Sequence, residues 1–211
     1  MKTKVFGIGF HKTGTTSLAD ALSHFGYRVT GPNEVDNPNI AQEVYEIAFD
    51  LANRFDAFQD NPWPVLYREL DERFPGSKFI LTLRPTHDWI KSVVTHFNED
   101  ETPMREWIYG VGCPKGNEDI YIARYERHNR EVTDYFKNRR KQFLVLDIAA
   151  GEGWGKLCPF LGEPIPGIPF PCSNAAPARE KNDKRNKSRL WRTYFKIRRR
   201  AKALTTPSRA A

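Results

Sequence analysis

Two adjoining segments decide the fold: Lys4-Val-Phe-Gly-Ile-Gly9 and, directly after it, Phe10-His-Lys-Thr-Gly-Thr-Thr-Ser17. The first is short, β-branched and aromatic, which predicts a buried strand. The second is rich in glycine and hydroxyl side chains, and Leu18, Leu22 and Phe25 then recur at helical spacing. A strand, a glycine-rich loop and a helix in this order predict a loop whose backbone N–H groups converge on a phosphate.

The rest of the chain alternates short apolar runs with helical patterns. Further strands are predicted at residues 27–30, 57–60, 78–83 and 143–147, and further helices at 40–55, 65–74, 86–97, 118–138 and 154–161. Strands that alternate with helices favour a mostly parallel sheet with helices on both faces. The sequence therefore predicts a single P-loop-like α/β domain of three layers with about five strands, in which ligands bind beyond the carboxyl ends of the strands.

The charge is divided unevenly along the chain. Its 211 residues carry 33 Lys/Arg and 26 Asp/Glu, a net charge of +7. Residues 179–211 hold 13 basic and 2 acidic side chains, so the preceding part has a net charge of −4. A proline-rich stretch, Pro164 to Pro177, separates the two. We therefore expect a folded domain at residues 1–178 and a basic tail at 179–211.

Apolar and basic side chains are interleaved in residues 187–204 of the tail. Leu190, Tyr194 and Ile197 share one helical stripe, which predicts a basic amphipathic helix. Such a helix can pack against the acidic domain, contact an anionic surface such as a membrane, or bind nucleic acid or an acidic acceptor. We favour packing against the domain.

The composition disfavours membrane and secreted proteins. No stretch approaches the roughly 18 to 20 apolar residues of a membrane span, and the apolar start Val5–Phe10 is too short for a signal peptide. The three cysteines, Cys113, Cys158 and Cys172, are odd in number and lack CxxC spacing, which disfavours a disulfide framework or a zinc site. We expect a cytoplasmic protein with reduced thiols and no metal. Nothing in the sequence indicates the oligomeric state.

The predicted phosphate loop differs from that of nucleoside triphosphatases in the place of its lysine. Against the pattern GxxxxGK[ST], Gly9, Gly14 and Thr16 are in register, but Thr15 stands at the lysine position and the lysine of this loop is Lys12. The group that holds β- and γ-phosphates during Mg²⁺-dependent transfer is therefore missing. This argues against ATP or GTP as ligand, and against a small-molecule kinase.

At these residues the chain resembles the sulfotransferases that use 3′-phosphoadenosine 5′-phosphosulfate (PAPS). His11-Lys-Thr-Gly-Thr-Thr-Ser17 resembles the loop that binds the 5′-phosphosulfate in that family. A second family element is a strand that ends in Arg, with Ser eight residues later, and Arg84 and Ser92 reproduce this spacing. Shorter segments extend the resemblance over nearly all of residues 3–175. It looks closest to the small, compact members of the family.

The resemblance implies a reaction and a set of site residues. The reaction is transfer of the sulfuryl group of PAPS to a hydroxyl or amine of a small-molecule or glycan acceptor, without a metal. Lys12 is implied to stabilise the charge that develops on the bridging oxygen of the leaving nucleotide. The residues implied to bind PAPS are His11, Lys12, Thr13, Gly14, Thr15, Thr16, Ser17, Arg84 and Ser92.

The candidate base is also identified by resemblance. Cytosolic members of the family place a histidine two positions before a proline, after the third strand, and here that position is Asp60 in Asp60-Asn61-Pro62. Other branches use a glutamate, so a carboxylate can serve, although Asp before Asn-Pro is also typical of a turn. His11, His87 and His96 are alternative bases. Trp63 is the aromatic residue expected to line the acceptor cleft.

A function of a different class is also open. A phosphate-loop protein that has lost catalysis would bind a nucleotide or RNA, with the basic tail adding affinity. The acceptor of a sulfotransferase cannot be identified from the sequence, because residues 98–118 show no interpretable chemistry.

Overall fold

Five strands form one sheet in the part of the chain that the computed structural model describes, residues 2–172. They are β1 (Val5–Gly7), β2 (Val29–Thr30), β3 (Ala57–Phe58), β4 (Lys78–Thr82) and β5 (Phe143–Leu146). Their order is β2-β3-β1-β4-β5, and every neighbouring pair is parallel. The predicted α/β fold with a parallel five-stranded sheet is confirmed. The tail and its predicted helix lie outside the described residues.

The helices of this part are α1 (Thr15–His24), α2 (Ile40–Arg54), α3 (Tyr67–Arg73), α4 (Thr86–Phe97), α5 (Pro103–Tyr109), α6 (Glu118–Phe136) and α7 (Trp154–Leu161), with a 3₁₀ turn at Trp63–Leu66. None of them is long and apolar enough to span a lipid bilayer. All except α5 were predicted, and for the helices whose bounds were predicted, α2 to α4, α6 and α7, the bounds agree to within two residues.

The helix α5 is short but well delimited. The Thr102 side chain caps it by accepting the N–H of Arg105, Pro103 is its first residue, and Gly110 ends it with a φ of 81°. These are preferred start and stop residues of helices. At seven residues, however, the helix is too short to show a periodic apolar pattern.

The sheet separates two apolar clusters, which gives the three predicted layers. One face packs against α1 and α7, with Leu18 and Leu157 in the cluster. The other face is covered by α2 to α6, with Phe79 and Trp89 in the cluster. All three residues of β1 are buried, as expected for a central strand that is covered on both sides.

Lysines at the amino ends of the strands stabilise the ends of helices. The ammonium groups of Lys2, Lys4 and Lys78 donate to carbonyl oxygens at or just beyond the C-termini of α1, α2 and α7, respectively. A helix leaves its last carbonyls without partners and has a partial negative charge at that end, so a cation there is stabilising. This basic edge of the sheet lies opposite the edge at which β1 enters the predicted phosphate loop.

Candidate active site

The predicted phosphate loop leaves the carboxyl end of β1 and passes very close to β4. A Cβ atom on Gly9 would lie 2.1 Å from Thr82 Oγ1 and 2.3 Å from the Thr82 carbonyl oxygen. No side chain fits there, so glycine is required for this approach. The loop then runs through Lys12 (φ 67°) and Gly14 (φ 99°), both in the left-handed region, before α1 begins at Thr15.

The N-terminus of α1 is built as an anion site. Gly14 precedes the helix, and no side chain caps it with a hydrogen bond. The first N–H groups of a helix have no acceptors within the helix and lie at its positive end, where they can bind a phosphate or sulfate. Thr15, Thr16 and Ser17 form this first turn and are buried or half-buried. The loop geometry expected from the sequence is therefore present.

Thr13 fastens the loop to the neighbouring strand. Its hydroxyl donates to the Phe10 carbonyl oxygen (2.6 Å) and lies 2.6 Å from Thr82 Oγ1, with both threonines buried. Because the Thr13 hydrogen is used within the loop, the Thr82 hydroxyl is the donor of the second bond. The Thr13 side chain thus fixes the shape of the loop. The predicted contact of Thr13 with PAPS would therefore have to come from the Thr13 backbone N–H.

Asp60 lies next to the loop because β3 is the neighbour of β1. Its Oδ2 accepts a hydrogen bond from Thr15 Oγ1 (3.0 Å), and its Oδ1 accepts one from the N–H of Asn61 (2.8 Å). Its φ of 64° is, like that of Lys12, rare for a residue with a side chain. Such backbone conformations concentrate at functional sites. The charge of Lys12, the other predicted catalytic residue, acts on the Asp60 carboxylate.

The surroundings of Asp60 make it a stronger base than an exposed aspartate. Burial raises the pKa of its carboxyl group, because a carboxylate withdrawn from water is disfavoured. The hydrogen bonds from Asn61 and Thr15 and the charge of Lys12 oppose this rise in the pKa without cancelling it. A carboxylate with a raised pKa accepts a proton more readily.

Arg84 enters the site from β4, on the other side of β1. The Tyr125 hydroxyl fixes its backbone by accepting the Arg84 N–H (3.1 Å) and donating to the Arg84 carbonyl oxygen (2.8 Å). Arg84 Nη1 lies 3.5 Å from the Lys12 carbonyl oxygen, and Arg84 Nε is buried without a hydrogen-bond partner. A buried N–H without an acceptor costs free energy unless a ligand accepts it, and a guanidinium fits the oxygens of a phosphate. Ser92 is half-buried in the second turn of α4, the helix that follows.

His11 points into the core. Its side chain is buried, with Nδ1 3.3 Å from Asn61 Nδ2 and Nε2 3.3 Å from the Tyr109 hydroxyl oxygen. Because the Asn61 amide group donates to Nδ1, the ring proton is on Nε2 and is donated to Tyr109. Burial, reinforced by the charges of Arg105 and Lys12, lowers the pKa of His11 to about 3. Its engaged nitrogens and weak basicity favour Asp60 over His11 as the base.

The remaining alternatives occupy different environments. His87 and His96 are exposed on α4. Trp63 is fully buried, its Nε1 donates to Asn33 Oδ1 (2.9 Å), and its ring centroid is 4.3 Å from that of Phe58. The prediction that Trp63 lines a cleft is wrong, because the 3₁₀ turn that begins at this residue directs the indole into the core. No group of three or more His, Cys, Asp and Glu side chains within residues 2–172 is placed to hold a metal ion.

Two tyrosines that contact site residues were not predicted. Tyr125 lies on the buried face of α6, and Tyr109 is the last residue of α5. Both rings are buried, but their hydroxyls contact Arg84 and His11. A tyrosine in a buried stripe where phenylalanine would suffice could have indicated such a contact, because a buried hydroxyl needs a hydrogen-bond partner.

The buried histidines predict that the protein loses stability in mild acid. His128 is fully buried, with Nε2 2.8 Å from the Ile8 carbonyl oxygen, and burial lowers its pKa to about 4. The unfolded chain binds protons at His11 and His128 below pH about 6.5, whereas the folded chain does so only near pH 3 to 4. Stability from this source is therefore complete above pH 6.5 and falls as the pH is lowered.

Urea unfolding measures this dependence. Between pH 7 and pH 5 the free energy of unfolding is expected to fall by roughly 3 to 4 kcal/mol, since each histidine contributes up to about 1.4 kcal/mol per pH unit. The variant His128→Phe should show about half of this fall. An unfolding free energy that does not change over this range would contradict the neutral, buried state of both rings.

The sequence of the chain is similar to known proteins. Residues 4–115 and 101–179 match the family model described as a sulfotransferase domain. The two ranges contain every candidate site residue discussed above. Over 92% of this chain and 88% of the other protein, the sequence is 21% identical to the "Ava biosynthesis cluster protein M" of Aspergillus versicolor.

Proposed function

Because the chain belongs to the sulfotransferase domain family, we propose that it transfers the sulfuryl group of PAPS to a hydroxyl or amine of a small-molecule or glycan acceptor. This proposal rests on one observation. Asp60, Lys12 and Arg84 follow the carboxyl ends of three adjacent strands, β3, β1 and β4. A cation, a base and a phosphate-binding guanidinium are the three groups that the reaction needs.

The donor is proposed to bind across β1 and β4. The N–H groups at the start of α1 and the hydroxyls of Thr16 and Ser17 bind the phosphosulfate. Arg84 and Ser92 bind the 3′-phosphate, which supplies the acceptor that the buried Arg84 Nε lacks. The bond between Thr13 and Thr82 holds the loop in its binding conformation before the donor arrives, which reduces the entropy lost on binding.

The transfer uses Asp60 and Lys12 in complementary roles. The acceptor oxygen or nitrogen attacks the sulfur atom, and Asp60 takes the proton that the acceptor loses. The bond between sulfur and the bridging oxygen breaks, and adenosine 3′,5′-bisphosphate leaves with the bonding electrons. Lys12 stabilises the negative charge that this oxygen acquires. With Lys12 in this role, the proposed transfer needs no metal ion.

Thermal unfolding with ligands tests the donor assignment. Adenosine 3′,5′-bisphosphate at 100 times its dissociation constant should stabilise the protein by about 2.7 kcal/mol. For a chain of this size that corresponds to a rise in Tm of about 5 to 10 °C. ATP with Mg²⁺ should give little change, because it has no 3′-phosphate and Thr15 stands where a triphosphatase loop has its lysine.

The variant Arg84→Ala serves as the control for this measurement. It should retain the Tm of the ligand-free protein and lose most of the shift caused by the bisphosphate. A larger shift with ATP and Mg²⁺ than with the bisphosphate would overturn the assignment of PAPS as donor and favour a kinase.

A further inference from the structure

Arg124 in α6 is a guanidinium that the protein satisfies incompletely. Its Nε donates to the Ile108 carbonyl oxygen (3.2 Å), and its central carbon lies 5.4 Å from the ring centroid of Phe10. Its Nη1 is buried without a hydrogen-bond partner, and no carboxylate within residues 2–172 forms an ion pair with it. Burial lowers the pKa of Arg124. A cation withdrawn from water without a counter-charge is costly.

Arg105 in α5 shows that a neighbouring buried arginine finds main-chain acceptors that Arg124 does not. Arg105 is almost fully buried and also lies over an aromatic ring, that of Phe97. Its Nε donates to the Gly112 carbonyl oxygen (2.9 Å) and its Nη2 donates to that of Asp100. Main-chain carbonyl oxygens around α5 therefore accept hydrogen bonds from two nitrogens of Arg105, but from only one nitrogen of Arg124.

Tyr109, the last residue of α5, supplies a second donor. It follows Ile108, whose carbonyl oxygen binds Arg124, and its ring stacks on Tyr121 with 3.9 Å between centroids. Its hydroxyl oxygen accepts the Nε2 proton of His11, and no residue of the described chain accepts the hydroxyl hydrogen in turn. Burial and the neighbouring Tyr121 raise the pKa of Tyr109 well above its ordinary value, so the hydroxyl keeps this hydrogen.

Both donors are connected to the candidate base. Hydrogen bonds run from Tyr109 through His11 to Asn61, the residue next to Asp60. The Asp60 charge also acts on the Tyr109 hydroxyl. Phe10, which Arg124 contacts, lies in the phosphate loop, and its ring centroid is 5.6 Å from that of Tyr109. The two donors and the base thus belong to one region of the site.

We propose that Arg124 and Tyr109 form a subsite for an oxyanion of the acceptor, so that the acceptor is a hydroxyl or amine compound that also carries a carboxylate. The Arg124 guanidinium and the Tyr109 hydroxyl are both groups that can donate to the oxygens of a carboxylate. The carboxylate supplies the acceptor that Arg124 Nη1 lacks, and its fixed position orients the reacting hydroxyl toward Asp60. This inference rests on the proposed sulfotransferase function.

The test compares carboxylate acceptors with their neutral derivatives. The pairs are 4-hydroxybenzoate with its methyl ester and N-acetylserine with its methylamide, with PAPS as donor and the full chain as enzyme. In at least one pair the carboxylate should be preferred in kcat/KM by tenfold or more. Arg124→Gln should lower this preference about 10- to 100-fold, mainly through KM, since a charge-assisted hydrogen bond is worth that much in affinity.

Matched variants separate recognition from folding. Tyr109→Phe keeps the stack on Tyr121 and should lower the preference by a smaller factor. Arg124→Lys keeps the charge and should retain part of the preference for the carboxylate. Arg130→Gln, which removes an exposed arginine from the same helix, should leave the preference unchanged. The Tm of each variant shows whether it is folded.

Three results would overturn the inference: no preference for the carboxylate, an unchanged preference in Arg124→Gln, or weaker binding of adenosine 3′,5′-bisphosphate to that variant. The last would assign the guanidinium to the donor. If no acceptor reacts, 4-hydroxybenzoate and N-acetylserine are titrated into bisphosphate-loaded protein and their binding is measured by calorimetry. Absence of binding overturns the inference. Failure of the protein to bind the bisphosphate would instead contradict the proposed function.

Discussion

Replacing Lys12 by alanine is expected to lower sulfuryl transfer about 100- to 1,000-fold, the loss typical of one charge-stabilising contact in a transition state. Lys12 lies in the phosphate loop and acts electrostatically on Asp60, so its charge is close to the reacting groups. Binding of adenosine 3′,5′-bisphosphate should suffer less, because the α1 N-terminus and Arg84 remain. Single-turnover kinetics with PAPS and a bisphosphate titration measure the two effects separately.

The backbone of Lys12 requires a second variant. Its φ of 67° is less favourable for alanine than for asparagine, so Lys12→Asn removes the charge with less strain. Equal losses in both variants would assign the effect to the ammonium group. Arg84→Ala provides the contrast, with weakened donor binding as its main defect. Near-normal transfer by Lys12→Ala would show that another group stabilises the leaving oxygen.

Replacing Asp60 by asparagine should lower turnover about 100- to 10,000-fold, the usual contribution of a general base. Asparagine keeps the shape of the side chain, tolerates the φ of 64° and can still accept a hydrogen bond from Thr15. It cannot take the proton of the acceptor. Donor binding should therefore be unchanged, and a fall in kcat without a change in bisphosphate affinity is the expected pattern.

The pH profile gives an independent measure of the same role. Because burial raises the pKa of Asp60, kcat/KM of the wild-type enzyme should decrease as the pH falls through this raised value and protonates the carboxylate. The decrease should disappear from the residual activity of Asp60→Asn. Normal turnover by Asp60→Asn would assign Asp60 to the turn alone and make His87 and His96 the next candidates.

The sequence predicted the sheet and the passage from strand through glycine-rich loop to helix because several local signals agree there. In Val5–Gly7 a buried strand pattern leads directly into glycines and hydroxyls, and then into a helical stripe. Lys78–Thr82 is similarly apolar on both faces. Where strand, loop and helix each have characteristic residues, the ends of the strand and of the helix can be predicted. The residues between those ends then identify the loop.

Contacts between distant parts of the chain could not be predicted in this way. The approach of Gly9 to Thr82 and the bond between Asp60 and Thr15 depend on the strand order β2-β3-β1-β4-β5. The inward direction of His11 depends on α5, which no periodicity revealed. Trp63 was misplaced because neighbouring residues do not determine which way an indole points from a turn.

The parallel sheet makes the two ends of the molecule chemically different, which matters for attaching it to a support. The amines of Lys2, Lys4 and Lys78 serve as caps for the ends of α1, α2 and α7. Random amine coupling would consume these caps, and Lys12 with them. A peptide tag joined ahead of Lys2 would instead anchor the protein near the edge of the sheet opposite the predicted phosphate loop and would leave these three lysines unmodified.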